Sequence, residues 1–376
     1  MHQYPTAKHP LNIAIAGYGL LGRLLAWRLL LLGHSVTVYD KGRSGSNTSA
    51  AYSAAGMLAP ISEAAASHPS IYRAGTEAIN TWANWCSELG LSHAIQQQGS
   101  LIVAHPQDRA ELTQFYRDSQ RIAAENTSMT LTMLNRQQVS ELEPDLSNQL
   151  DQGLWINPEA HLDNRALLAG LDQWLQRTDV TIWYDSEVSV SPKQITDLNS
   201  GRHFQHDWVI DCRGAGARFD QPTLRGVRGE TLHLETREVT LQRPVRLMHP
   251  RYQLYIVPKP NHRFVIGATQ LESEDLSPIS LQSNLELSSA VYTLAPAFAE
   301  ARILEAGVNL RPAYANNLPH VSANEGLISA NGLFRHGYLL APLVVAQTLS
   351  ILHGQNNLAC EQLISQPHSE QATHEV

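Results

Sequence analysis

Between Leu11 and Asp40 the chain reads LNIAIAGYGLLGRLLAWRLLLLGHSVTVYD, and few folds accept such a run. The apolar segment Leu11 to Ala16 reads as a buried strand, and Gly17, Gly19 and Gly22 follow it at the spacing G-x-G-x-x-G. The first glycine permits a tight turn, the second lets backbone approach a pyrophosphate, and the third lets a helix pack on the strand. Leu20 to Leu32 is expected to be that helix, with Leu20 and Leu21 in the turn whose N–H groups and positive dipole end face the pyrophosphate. Gly33 stops it, and Ser35 to Tyr39 returns as a second strand ending in Asp40 and Lys41. About twenty residues past the first glycine, such βαβ units place an acid that accepts from a ribose hydroxyl. Strand, glycines, helix, strand and acid in this order predict dinucleotide binding.

The leucines of that helix invite a second reading, a membrane anchor or a signal peptide. Arg23 precedes them, Arg28 interrupts them and Gly33 ends them, well short of the ~20 apolar residues a span needs. The opening MHQYPTAKHP has no dense positive region, and no small-residue cleavage site follows it. No targeting segment and no membrane span are expected, and a cytoplasmic location follows.

With 376 residues the chain exceeds what one core of roughly 250–300 residues organises, so two domains are expected. A net charge of −8 argues against broad binding to nucleic acid or anionic membrane. Cys86, Cys212 and Cys360 show neither C-x-x-C nor zinc spacing and read as buried thiols of a reducing compartment. The 17 histidines are scattered, and no metal site is expected.

After Lys41, small residues and hydroxyls dominate from Ser44 to Gly56, among them Thr48, Ser49 and Ala55. With so little bulk this stretch can lie against a flat ligand and offer backbone N–H and hydroxyl donors. Pro69 to Leu89 reads as an amphipathic helix with Trp82 and Trp85 as core, Gly99 to Ala104 as a strand and Asp108 to Asn126 as a solvated helix. His161 is expected to be structural. Val180 to Tyr184 and Ser186 to Val190 are short strands, and WVIDCRGAGAR, residues 208–218, is a strand entering Gly214, Ala215 and Gly216. Glycines directly after a strand again mean close approach or a sharp turn. From Leu224 to Thr269 the pattern becomes alternating strands with a turn at Pro260-Asn261, an antiparallel sheet unlike the βαβ region. Ser280 to Leu294 reads as a helix.

The fingerprint followed by S-A-A-x-x-A-A-G-M-L-x-P resembles the FAD-dependent oxidases of the D-amino-acid-oxidase type, and within them the glycine oxidases of thiamine biosynthesis. The likeness runs to about His353 and includes Y-I-V-P from Tyr255, L-R-P at Arg311, and GLFRHGYLLAP at 332–342. It implies an α/β plus α+β fold: a Rossmann-type βαβ domain for FAD and an antiparallel-sheet substrate domain. The expected division is 1–82, 155–222 and 306–364 for FAD, 83–154 and 223–305 for substrate, and a polar, disordered tail at 365–376. Met57 then stands beside the isoalloxazine ring, Val188 meets adenine through its backbone, and Gly214-Ala215-Gly216 form a loop against FAD. His336, Gly337, Tyr338 and Leu339 lie at the pyrimidine end, where N–H groups stabilise the negative charge of reduced flavin. Arg311 is expected to clamp the substrate carboxylate through two parallel N–H···O bonds, with Tyr255 and Arg335 completing the pocket.

The implied activity is oxidative deamination of glycine or a similar small amino acid. Hydride leaves Cα for flavin N5, the imine hydrolyses, and O₂ yields H₂O₂. No cysteine matches a covalent flavin attachment, so FAD is expected to be non-covalent. The chain departs from the family at Gln253, where several members have histidine, at Asn309, which replaces a glycine, and in the His320-Val321-Ser322 loop. These departures keep other readings open: a flavoprotein acting on tRNA or protein, a quinone-linked dehydrogenase, or a non-catalytic FAD protein. Whether the chain forms a homo-oligomer is also left open.

Overall fold

The computed structural model describes residues 9–124, 129–249 and 254–354. Gln253, Cys360 and the expected tail at 365–376 lie outside the described residues.

The fingerprint folds as its spacing requires. Strand Asn12–Ala16 leads through Gly17 and Gly19 into helix Leu20–Leu31, and Ser35–Tyr39 returns parallel to the first strand. Gly17 has φ +100°, and a Cβ there would meet the carbonyl of Cys212 at 2.6 Å. A Cβ on Gly22 would overlap the Gly17 carbonyl, so both positions need glycine for helix and strand to meet. The six-stranded sheet runs in the order His320–Asn324, Leu327–Asn331, Trp208–Asp211, Asn12–Ala16, Ser35–Tyr39, Thr181–Trp183. Its strands are parallel except for the outer hairpin of the first two.

The leucine-rich helix is buried nearly all round because other helices cover it. It packs against Asn164–Leu175 and Gly337–Leu352, and the latter against Ser70–Glu88. Leu24, Leu25, Leu29, Trp82, Leu340 and Val344 share one core with Ile13 and Ile15. Trp82 belongs to this core and donates from Nε1 to the Tyr338 carbonyl at 2.7 Å.

A second sheet of eight strands runs Arg302–Ala313, Arg225–Glu235, Arg263–Gly267, Leu254–Lys259, Val245–Met248, Ser100–Ala104, Gln152–Asn157, Thr130–Asn135. All neighbours are antiparallel except Val245–Met248 and Ser100–Ala104. The turn at Pro260 carries Asn261 and His262 at positive φ. Because strand side chains alternate between faces, adjacent rows go opposite ways. Val245, Ile256, Ile266 and Leu232 form one row and pack in a core with Leu287, Val291 and Leu294 of helix Leu281–Leu294. The next row is Arg246, Tyr255, Gly267, Thr231 and Gly307. The expected boundaries at 82/83, 154/155 and 305/306 fall inside the continuous elements Ser70–Glu88, Gln152–Asn157 and Arg302–Ala313. Periodicity marks a strand but not the sheet it joins.

Candidate active site

Between the two sheets lies a cavity of about 1370 Å³. Pockets for single small ligands hold ~300–1,000 Å³, so this one has room for a dinucleotide and a second, smaller molecule. On the fingerprint side it is lined by Gly17, Gly19, Leu20, Leu21, Asp40 and Lys41. Helix Leu20–Leu31 begins at the cavity with Gly19 as N-cap and no side-chain cap, which leaves its first N–H groups to an anion. Asp40 accepts from Tyr18 N at 2.6 Å and Gly42 N at 2.7 Å, one bond on each oxygen. A carboxylate has about four acceptor positions, so lone pairs remain for ribose hydroxyls. These residues fit a dinucleotide such as FAD.

Thr48, Ser49, Ala55, Gly56 and Met57 line the middle of the cavity opposite Gly214, Ala215 and Gly216. Asn309, the departure from the family pattern, ties in here: its Nδ2 donates to the Thr48 carbonyl at 3.0 Å. His320, the other departure, stacks on Tyr314 with centroids 4.2 Å apart and forms no part of the lining. Gly22 does not line the cavity either; it is packed beneath Gly17. Val188 is also off the lining, in a small core with Ala14, Ala16 and Tyr39. Its carbonyl accepts from Arg213 Nη1 at 3.0 Å. Arg213 is in turn paired with Asp211 at 2.9 Å and Asp220 at 2.6 Å. Cys212 lines the site as a buried thiol, and Cys86 is buried in the core. His161 sits in a small sheet, paired with Met57, where burial lowers its pKa to about 3 and keeps it neutral.

Arg335, His336, Gly337, Tyr338 and Leu339 line the cavity at the start of helix Gly337–Leu352, which has no acidic residue in its first turn. Arg335, expected to complete the pocket, lines the cavity as part of an ion-paired cluster. Its Nε lies 2.8 Å from Oε2 of Glu63, whose Oε1 takes Arg246 Nη2 at 2.6 Å and whose Oε2 has His336 Nδ1 at 3.2 Å. The partner that holds Arg335 comes from helix Pro60–Ala66, remote in sequence. Burial alone would raise the Glu63 carboxyl, but Arg335 and Arg246 outweigh it and hold it well below the usual range. Burial pushes His336 down against the pull of Glu63.

Arg311 is placed differently. Its side chain crosses the neighbouring strand at Gly229, where any Cβ would overlap the guanidinium. Nη1 donates to the carbonyls of Arg228 at 3.3 Å and Thr269 at 3.0 Å. Among the described residues, no carboxylate lies within ion-pair distance of it, and it faces the cavity. Burial shifts it downward, against the opposing pull of Tyr255, and a guanidinium stays charged at neutral pH regardless. Tyr255 lies over Gly267, where a Cβ would come within 2.6 Å of its hydroxyl. Burial raises that hydroxyl while Arg311 and Arg246 pull it down, so it stays a donor. Arg311, Tyr255, Glu63 and Arg246 thus line one cavity.

Glu63, Arg246 and Gly229 were not singled out in the sequence. Arg246 carried a signal, a lone charge in the apolar run P-V-R-L-M, and Gly229 a weaker one, a glycine inside a strand. Glu63 carried none.

The chain matches the family model described as "FAD dependent oxidoreductase" over residues 12–349. It is 38% identical over 353 residues to a thiamine biosynthesis oxidoreductase, ThiO, of Rhizobium etli, covering 92% of this chain and 98% of that one. The structure of glycine oxidase from Geobacillus kaustophilus superposes with a TM-score of 0.80 at 23% identity, covering 93% and 96% of the two chains. That of iminodiacetate oxidase from Chelativorans sp. BNC1 does so at 0.81 and 22%, covering 94% and 98%. These likenesses place the fold, and the match over nearly the whole chain places the sequence: the protein belongs to the FAD-dependent oxidoreductases of the DAO family.

Proposed function

We propose that the protein is an oxidase of small amino acids, glycine foremost, that holds FAD without a covalent bond and serves thiamine biosynthesis in the cytoplasm. The observation that carries this reading is Arg311: a charged guanidinium on the cavity wall with no carboxylate partner among the described residues. Such a group suits a planar carboxylate arriving with the substrate. The thiamine assignment follows the likeness to the Rhizobium etli protein, and the substrate follows that to the glycine oxidase.

Arg311 fixes one end of the substrate through two N–H···O bonds, and the Tyr255 hydroxyl donates to the same carboxylate. This anchoring orients Cα and costs the substrate its rotational freedom before reaction rather than during it. FAD, when bound, would accept the hydride from Cα, which carries both electrons of the oxidation. Glu63 does not serve as base: Arg246 and Arg335 occupy it and keep it weakly basic. The substrate therefore reacts as the neutral amine, and no side chain takes its proton. The first N–H groups of helix Gly337–Leu352 favour negative charge on the cofactor side of the site.

The test is anaerobic bleaching of the flavin absorbance by glycine, sarcosine, D-alanine and iminodiacetate, with wild type and Arg311→Ala. Bleaching by a small amino acid in the wild type, slowed by about two to three orders of magnitude in the variant, is expected for a buried charge pair worth ~2–5 kcal/mol. A yellow protein that none of the four reduces would sink the small-substrate reading in favour of a macromolecular one.

A further inference from the structure

We propose that Lys259 is a positioning residue for the cofactor: an amine behind Ala55–Gly56–Met57 that clamps this segment in place from the eight-stranded sheet. The proposal rests on the reading that FAD lies along that segment. Lys259 ends strand Leu254–Lys259, and its Nζ donates to the Ala55 carbonyl at 2.8 Å and the Leu162 carbonyl at 2.5 Å. Ala55, Gly56 and Met57 line the cavity and Lys259 does not, so the amine stands one layer behind them. The segment is stitched to the same partner by Met57 opposite His161, Leu58 opposite Ala160, and Leu162 N donating to the Gly56 carbonyl at 2.8 Å. Gly56 has φ +71°, and a Cβ there would meet the Leu162 carbonyl at 2.6 Å. Lys259 therefore joins the eight-stranded sheet to the two strands that carry the cofactor segment.

Two carbonyls are an unusual pair of partners for an ammonium, since neither carries a full negative charge. Among the described residues, no carboxylate lies within ion-pair distance of Nζ. The charged and titratable groups around it are Asp163 and Arg165 at the start of helix Asn164–Leu175, His161, His233, and Arg263 across the hairpin. Burial lowers the lysine to about 7; Asp163 opposes this and Arg165 adds to it. His161 is lowered to about 3 and His233 to about 4, chiefly by burial, so both stay neutral where Lys259 titrates. A neutral amine still has two N–H bonds, enough for both carbonyls. The clamp holds in either state while the charge behind the cofactor comes and goes. A folded pKa below the ordinary lysine value means the folded chain sheds this proton first, so stability rises with pH from about 7 toward 10.5.

The experiment compares wild type, Lys259→Arg and Lys259→Met. In the holoprotein, the flavin midpoint potential is followed across neutral pH. An inflection near pH 7 is expected in wild type and in neither variant, because arginine stays charged and methionine never is. FAD binding should weaken about tenfold in Lys259→Met, the effect of losing hydrogen bonds to a charged group, and less in Lys259→Arg. The same inflection persisting in both variants would overturn the proposal, and Lys259→Arg decides the point if the methionine variant loses FAD. In protein without cofactor, amide exchange at Met57 and Leu58 should quicken in Lys259→Met; unchanged exchange would overturn the clamp on its own. A wild type that takes up no FAD would instead count against the cofactor reading, and the exchange experiment would still judge Lys259.

Discussion

Arg311 reaches the cavity across a strand whose nearest residue, Gly229, has no side chain to obstruct it. A single methyl group there overlaps the guanidinium, so Gly229→Ala should displace Arg311 while leaving the fingerprint untouched. The expected result is normal FAD content with flavin reduction by glycine slowed at least tenfold, measured by rapid mixing under anaerobic conditions. Equal rates would show that the guanidinium has another route to the substrate. Arg311 was legible in the sequence because L-R-P falls in a recognisable context. Arg335 was equally visible, but its role was not: whether an arginine is free or paired depends on a carboxylate that only folding brings to it. Glu63 lies in P-I-S-E-A-A-A, which announces nothing.

At the level of elements, the βαβ unit was the most legible part, because its glycines are demanded by backbone contacts that tolerate no substitute. Gly22→Ala brings a Cβ onto the Gly17 carbonyl. The helix has to move off the strand, at a cost of about 1–3 kcal/mol for overpacking a tight contact. Urea unfolding should register that loss, and FAD retention on gel filtration should fall with it, since the same turn presents the first N–H groups. A variant with unchanged midpoint and full flavin content would contradict the packing argument. The eight-stranded sheet was visible as alternating strands but not as one sheet. Ser100–Ala104 and Gln152–Asn157 join strands from much later in the chain, and pattern within a strand says nothing about its neighbour.

Across the whole molecule, Glu63 ties helix Pro60–Ala66 to strand Val245–Met248 and to the turn before helix Gly337–Leu352. Removing its charge takes the carboxylate away from the buried Arg246, so Glu63→Gln should destabilise the protein by about 3–5 kcal/mol at neutral pH. The carboxyl is held below its ordinary value, so its contribution is complete above the unfolded value of about 4.3 and is lost as pH falls through the folded one. Wild type and Glu63→Gln should therefore converge in acid, as chemical unfolding at a series of pH values would reveal. A gap that stays constant into acid would mean the glutamine disturbs packing instead.

The six-stranded sheet takes its first strands from Asn12–Tyr39, its centre from Trp208–Asp211 and its outer hairpin from His320–Asn331. A ribosome adds about 5–20 residues per second, so the fingerprint strands wait on the order of ten seconds or more for their neighbour and longer for the covering helix. Throughout that interval Ile13, Ile15 and the leucines of the first helix lack the part of their core that the later strands and the covering helix supply. Cofactor capture has to follow translation, because Gly337 to Leu339 complete the site. The nascent chain thus carries incompletely covered apolar surface well before its cavity is complete.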